Sequence, residues 1–248
     1  MVQLVAIGKQ LSECPHVITL GVRPQFSSYS PEEITLIRST PAVLFPTWRY
    51  VTIFDATGKP TFPSISSYQY RRSLHLQASL CTYLNIPSLK IRLYAGNRQK
   101  KNIYGDFTLP VKIIYGQNRE TIAYSQDQLR KAIMLTHKVI VQECPGENDP
   151  VVELVVIGYQ VVGMTSCFSL RPLQQILKLS EHICKKAHID YASMRWVYSD
   201  NSWKFLKMTH PPLQFKDLTG KTVLLKKVLC KFIKDIATGR AIPPWQRI

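Results

Sequence analysis

After Asn201 the chain carries Lys204, Lys207, Lys216, Lys221, Lys226, Lys227, Lys231, Lys234, Arg240 and Arg247, against only Asp217 and Asp235. Over the whole sequence 32 basic residues face 16 acidic ones. A field of that sign draws anions, whether nucleic acid, phosphates, acidic protein or an anionic membrane surface. Trp196, Trp203 and Trp245 add the aromatic neighbours that a polyanion-binding module uses for stacking. No nucleic-acid motif accompanies them, and a solvated basic face reads the same. His182, Cys184 and His188 match no common zinc spacing, and no second ligand pair follows.

Cys14, Cys81, Cys144, Cys167, Cys184 and Cys230 include no C-x-x-C pair. In a chain this long and core-rich they are expected to be reduced, mostly structural thiols. At 248 residues, 45% of them hydrophobic, one or two domains with a sizeable core are expected. No apolar run approaches the ~20 residues of a membrane span. MVQLVAIGKQLSEC lacks the basic stretch and long apolar core of a signal peptide, so a cytoplasmic location is the expectation.

The elements that must position these residues follow from patterning. VQLVAIG, HVITLGV and AVLFP are short apolar runs, and with SPEEITLIRS between the last two they suggest a small α/β unit. In that segment Ser30 suits a helix N-cap, Pro31 the first helical position, and Glu32 and Glu33 the first turn. SYQYRRSLHLQASLCTYLN reads as one helix ended by Asn85. Strand-like segments follow at KIRLYA, LPVKIIY, ETIAYS, KVIVQEC and VELVVIGYQVVGM, with a helix in SQDQLRKAIML. RPLQQILKLSEHICKKAHI has a helical period, and ASMRWVYSDNSWKFLKMT reads as a hairpin turning at Ser199 to Ser202. KTVLLKKVLCKFIKDIATG is an amphipathic helix with Leu225, Val228, Leu229, Phe232 and Ile236 on one side and Gly239 at its stop. Packing on a sheet requires such a stripe.

In order, HVITLGVRPQFSSYSPEE, YLNIPSLKIRLYAG, VIVQECP, IGYQVVG and WKFLKM resemble the RimK-like branch of the ATP-grasp family. These are ligases that join a carboxylate to an amine through an acyl-phosphate. The resemblance covers most of the chain and implies an α/β (α+β) ATP-grasp fold. It implies a small N-terminal α/β domain over 1–84 and a first ATP-grasp (lid) subdomain over 85–143. A second subdomain over 144–239 would include the C-terminal amphipathic helix, with a tail at 240–248.

By the same resemblance Val141, Gln142, Glu143 and Cys144 form the adenine hinge, which works through main-chain groups. Ser73 and Leu74 stand where the family has an Asp-Lys pair, with Arg71 and Arg72 nearby as helix-surface residues or substitute charges. Ile114 occupies the second lysine position. Lys112 sits two residues earlier on the same strand face, a displacement of ~7 Å. YGQNR, with Gly116 alone, is too short for a glycine-rich phosphate flap. Val151, Val152 and Glu153 replace Asp-x-Arg, and Arg171 is the one candidate left in TSCFSLRP. Arg195 replaces a metal-binding acid, and Lys207 and Thr209 replace a Glu-x-Asn pair. Lysine and arginine cannot coordinate Mg²⁺, and their charge repels it.

The resemblance thus implies a scaffold that has lost its metal ligands: magnesium is not expected, and ATP stays open as a ligand. Arg171, Arg195 and Lys207 are the candidate holders of an anion without metal. Three functions follow. One is a catalytically silent pseudoenzyme, an interaction or regulatory subunit whose protein partner is an active ATP-grasp paralogue, with metal-free nucleotide or phosphate binding as a remnant. Another is a divergent active carboxylate–amine ligase using Lys112, Glu143 and Arg171, with metal ligands relocated to Glu153 or Asp190. The last is a polyanion or nucleic-acid-binding module.

Overall fold

The computed structural model describes residues 3–115, 119–134, 136–165 and 173–246. The chain divides into two compact units, Met1–Arg72 with Val152–Met194 and Thr209–Ile248, and Ser73–Val151 with Arg195–Met208.

The first unit begins with β1 (Leu4–Ala6), β2 (Val17–Thr19), α1 (Pro31–Ser39), β3 (Val43–Leu44), α2 (Trp48–Ala56), β4 (Thr61–Phe62) and α3 (Ile65–Arg72). The four strands form a parallel sheet of order β2-β1-β3-β4. Strand side chains alternate between faces, and both faces here are apolar. Val5, Ile7 and Val43 pack with Ile37, Tyr50 and Phe54 of α1 and α2. Leu4, Ala6, Leu44 and Phe62 join a cluster that includes Leu225, Leu229 and Ile233. Helix α1 starts as its sequence requires. The Glu33 N–H donates to Ser30 Oγ at 3.2 Å, and Glu33 Oε2 accepts the Ser30 N–H at 2.8 Å, with Pro31 in the first turn.

The segment expected as a single helix is two. Ser73 adopts extended backbone after α3, and its hydroxyl caps α4 (Leu74–Tyr83) by accepting the Leu76 N–H at 3.2 Å. Asn85 follows with φ 54.

The second unit continues with β5 (Ile91–Ala95), α5 (Gly96–Lys100), α6 (Ile103–Asp106), β6 (Val111–Tyr115), β7 (Arg119–Ala123), α7 (Gln126–Met134) and β8 (Lys138–Glu143). The sheet order is β5-β8-β6-β7, antiparallel throughout. Val111, Ile113, Val139 and Val141 face a core with Leu129 and Ile133 of α7.

The apolar run expected as one strand folds into two, β9 (Val151–Ile157) and β10 (Gln160–Met164). Gly158 and Tyr159, both at positive φ, make the reversal. A Cβ on Gly158 would stand 2.6 Å from the Phe232 ring, so this turn needs glycine for conformation and for space. After α8 (Leu173–Lys186), β11 (Tyr191–Ser199) and β12 (Ser202–Thr209) form the expected hairpin, turning on Asp200 and Asn201 at positive φ. Then come β13 (Gln214–Asp217), β14 (Thr222–Leu224) and α9 (Leu225–Ala237). These strands order as β12-β11-β9-β10-β13-β14.

Cys14 and Cys230 correct the expectation of reduced thiols. They form a disulfide, with Cα atoms 5.4 Å apart, between the N-terminal part of the first unit and α9. Cys81, Cys144 and Cys184 are free, and Cys167 lies outside the described residues. Among the described residues no helix is long and apolar enough to cross a membrane.

Candidate functional site

In the second unit the β6–β8 register sets Lys112 opposite Gln142, Ile113 opposite Val141 and Val111 opposite Glu143. Lys112 and the residues expected as the adenine hinge therefore lie on neighbouring strands. Their side chains are partly committed. Lys112 Nζ is 3.3 Å from Glu120 Oε1. Gln142 is buried and donates Nε2 to the Leu206 carbonyl at 3.0 Å. Val141 is core. The Glu143 N–H donates to the Lys90 carbonyl, and its Oε2 accepts the Lys90 N–H. Burial pushes the Cys144 thiol up, while the nearby Lys112 charge works against that shift. Ile114, at the strict lysine position, pairs with Ile140. The β6–β7 ladder runs to Tyr115↔Arg119, and Gly116 lies outside the described residues, as does Arg171.

Arg195 on β11 and Lys207 on β12 are half-buried in the same unit. Neither carries a lone pair available to a cation. In the first unit, Glu153 Oε1 accepts Ser193 Oγ at 2.6 Å and Thr209 Oγ1 at 3.2 Å. The Thr209 hydroxyl is thus donated to a carboxylate. Among the described residues no group of three or more His, Cys, Asp or Glu side chains is arranged to hold a metal. A hard divalent cation wants several oxygen ligands, and the Arg195 and Lys207 side chains supply none.

A second cluster in the first unit was only partly visible in the sequence. Asp190 is 1% exposed. Its Oδ1 accepts the Ser64 N–H and the Ser67 hydroxyl, both at 2.8 Å. Ser67 Oγ in turn accepts the N–H groups of Asp190 and Tyr191 at 3.0 and 3.1 Å. Burial pushes the Asp190 carboxyl up to about 6 against these hydrogen bonds.

Arg71, expected on a helix surface, instead lies against aromatic rings. Its Cζ is 5.0 Å from the Tyr68 ring centroid and 5.4 Å from that of Tyr191. Its Nε donates to the Ser67 carbonyl at 2.9 Å. Burial lowers the pKa of this guanidinium, while Tyr68, Tyr191 and Asp190 raise it. The Tyr191 hydroxyl is buried without a hydrogen-bond partner. Arg72 is exposed, over the Trp48 ring at 5.2 Å. The sequence signals for this cluster were a lone Asp in an apolar stretch and serines after a Pro; neither names its partner.

No family model matches this sequence, and no curated protein is similar to it. Solved structures are similar in fold. A RimK domain ATP-grasp protein from Sphaerobacter thermophilus superposes with TM-score 0.67 at 13% identity, covering 95% of this chain and 96% of that one. N5-carboxyaminoimidazole ribonucleotide synthetase from Thermotoga maritima gives 0.61 at 11%, covering 84% and 67%. D-alanine–D-alanine ligase from Bacillus anthracis, solved with ATP, gives 0.59 at 12%, covering 100% and 94%. The chain has the ATP-grasp fold, a mixed α/β architecture.

Proposed function

We propose that this chain is a catalytically silent protein on an ATP-grasp scaffold, acting as an interaction or regulatory subunit. Phosphoryl transfer to a carboxylate requires neutralising and aligning a triphosphate, and ATP-grasp ligases use magnesium for much of that work. The residue types carry the reading: by the family resemblance, Arg195 and Lys207 stand where oxygen ligands for a metal are expected. A cation there repels the metal and supplies no ligand.

On this reading the positive charge comes from Lys112, opposite Gln142 on the neighbouring strand. That arrangement suits metal-free binding of a nucleotide or phosphate. The partner that fits the reading is an active ATP-grasp paralogue. The test is calorimetry with ATP, with and without Mg²⁺, alongside turnover assays on a panel of amines and carboxylates. The expected result is no turnover and no gain in ATP affinity on adding magnesium. Magnesium-dependent turnover would overturn the reading.

A further inference from the structure

In the first unit a cavity of about 320 Å³ is lined by Asp55, Ser64, Tyr159, His188, Asp190 and Trp245, among others. That volume is at the lower end of small-molecule sites. None of the residues proposed for nucleotide binding borders it, so it is argued independently of the reading above.

The carboxylate on its wall is incompletely used. Oδ1 of Asp190 takes two hydrogen bonds, from the Ser64 N–H and the Ser67 hydroxyl. The Ser64 side chain also supports the carboxylate, and Asp190 makes no ion pair among the described residues. An ionised carboxyl has about four lone-pair sites, and burying it without a counter-charge is unfavourable.

The nearby cations do not answer that need. Lys59, also on the wall, spends its ammonium on the Arg38 and Thr40 carbonyls. Arg71 donates to the Ser67 carbonyl and lies over tyrosine rings. Asp55 adds a second negative group to the lining. The raised pKa of Asp190 follows from its burial, which outweighs the hydrogen bonds it accepts. The rings of Tyr159 and Trp245 and the side chain of Ile65 supply apolar and aromatic wall. Aromatic faces favour organic cations and disfavour anions.

We propose that this cavity binds a small organic monocation, a primary alkylammonium, whose charge is taken by Asp190 and whose hydrocarbon part lies against Ile65, Tyr159 and Trp245. A divalent metal is not the occupant, because the described residues offer no cluster of ligands for one. The site is assigned a ligand and no reaction.

The test is isothermal titration of the full chain near neutral pH with ethylammonium chloride, and with sodium acetate and magnesium chloride as comparisons. Saturable one-to-one binding of ethylammonium alone is expected. Asp190→Asn should weaken it roughly tenfold or more, the loss of one charge-assisted contact. Trp245→Ala, a change at a half-buried side chain, should weaken it severalfold. Should Asp190→Asn fail to fold, the Asp190 carboxyl carbon resonance reports directly on the wild-type protein. Its titration midpoint should fall when ethylammonium is present, because a bound cation favours the ionised form. Absence of saturable binding with an unmoved midpoint overturns the proposal, and so does equal binding of acetate or magnesium.

Discussion

Ser67 and Asp190, 123 positions apart in sequence, bond to each other twice: the serine hydroxyl donates to Oδ1 at 2.8 Å and accepts the aspartate N–H at 3.0 Å. This reciprocal pair ties the first turn of α3 to the start of β11. It also leaves Ser67 Oγ as the acceptor for the Tyr191 N–H at 3.1 Å.

Ser67→Ala removes all of these at a site of zero exposure. Buried groups that lose a partner cost ~1–3 kcal/mol each, and the losses here are coupled. Denaturant unfolding should show a destabilisation of about 2–4 kcal/mol with the slope unchanged. A change within a few tenths of a kcal/mol would mean that the pair contributes nothing.

The pH dependence of stability carries a second signature. The Asp190 carboxyl, ordinarily 3.8, titrates at about 6 in the folded chain. Between those values the native state holds a proton that the unfolded state has released, so stability falls as pH rises through the window. The contribution is favourable below about 4 and lost above about 6, in total about 3 kcal/mol. Arg71, Tyr68 and Cys184 interact electrostatically with the group and are common to wild type and variant. The stability of Asp190→Asn relative to wild type should therefore improve by about that amount from pH 4 to pH 7. A constant difference across the range would contradict the burial of an uncompensated charge.

The charge inversion can be undone. The combined change Arg195→Asp, Lys207→Glu and Thr209→Asn restores oxygen ligands where cations now stand. ATP should then bind roughly tenfold or more tightly with Mg²⁺ than without it, and the parent chain is expected to show no such gain. If calorimetry finds magnesium neutral in the triple variant, these positions do not form the divalent site.

The Cys14–Cys230 bridge closes a separation of 216 residues. Cross-linking so long a loop restricts the unfolded ensemble, and removing it should cost about 5 kcal/mol. Thermal melts with and without reductant measure this, and Cys14→Ser/Cys230→Ser should melt like the reduced wild type. Identical melting of oxidised and reduced protein would show that the bridge does not stabilise the fold.

What the sequence disclosed was local. Ser30, Pro31 and Glu33 announce α1 because capping acts over three residues. Leu225, Leu229 and Ile236 announce α9 because a helix has one period. Helix α2 was not read from the sequence, since WRYVTIF is aromatic and β-branched and its cap, Thr47, is a lone threonine. Ser73 broke one helical period into two because it caps a helix from an extended backbone. The disulfide was illegible for a different reason: six cysteines do not state their pairing. At the candidate site, Lys112 and Gln142 were named separately and the strand register joined them. Asp190 and Ser67 had no such rule, because nothing local to either residue points across 123 positions.

The parallel sheet of the first unit has its two faces covered by parts of the chain made at very different times. Helices α1 and α2 emerge soon after β1, but the face of Leu4, Ala6, Leu44 and Phe62 is met by Leu225, Leu229 and Ile233. On a translating ribosome, that half-sheet waits bare for most of synthesis. Such a surface is what holdase chaperones grip and what drives clumping when elongation stalls. Nascent chains arrested before Leu225 should be aggregation-prone intermediates, and those released after Ala237 should not.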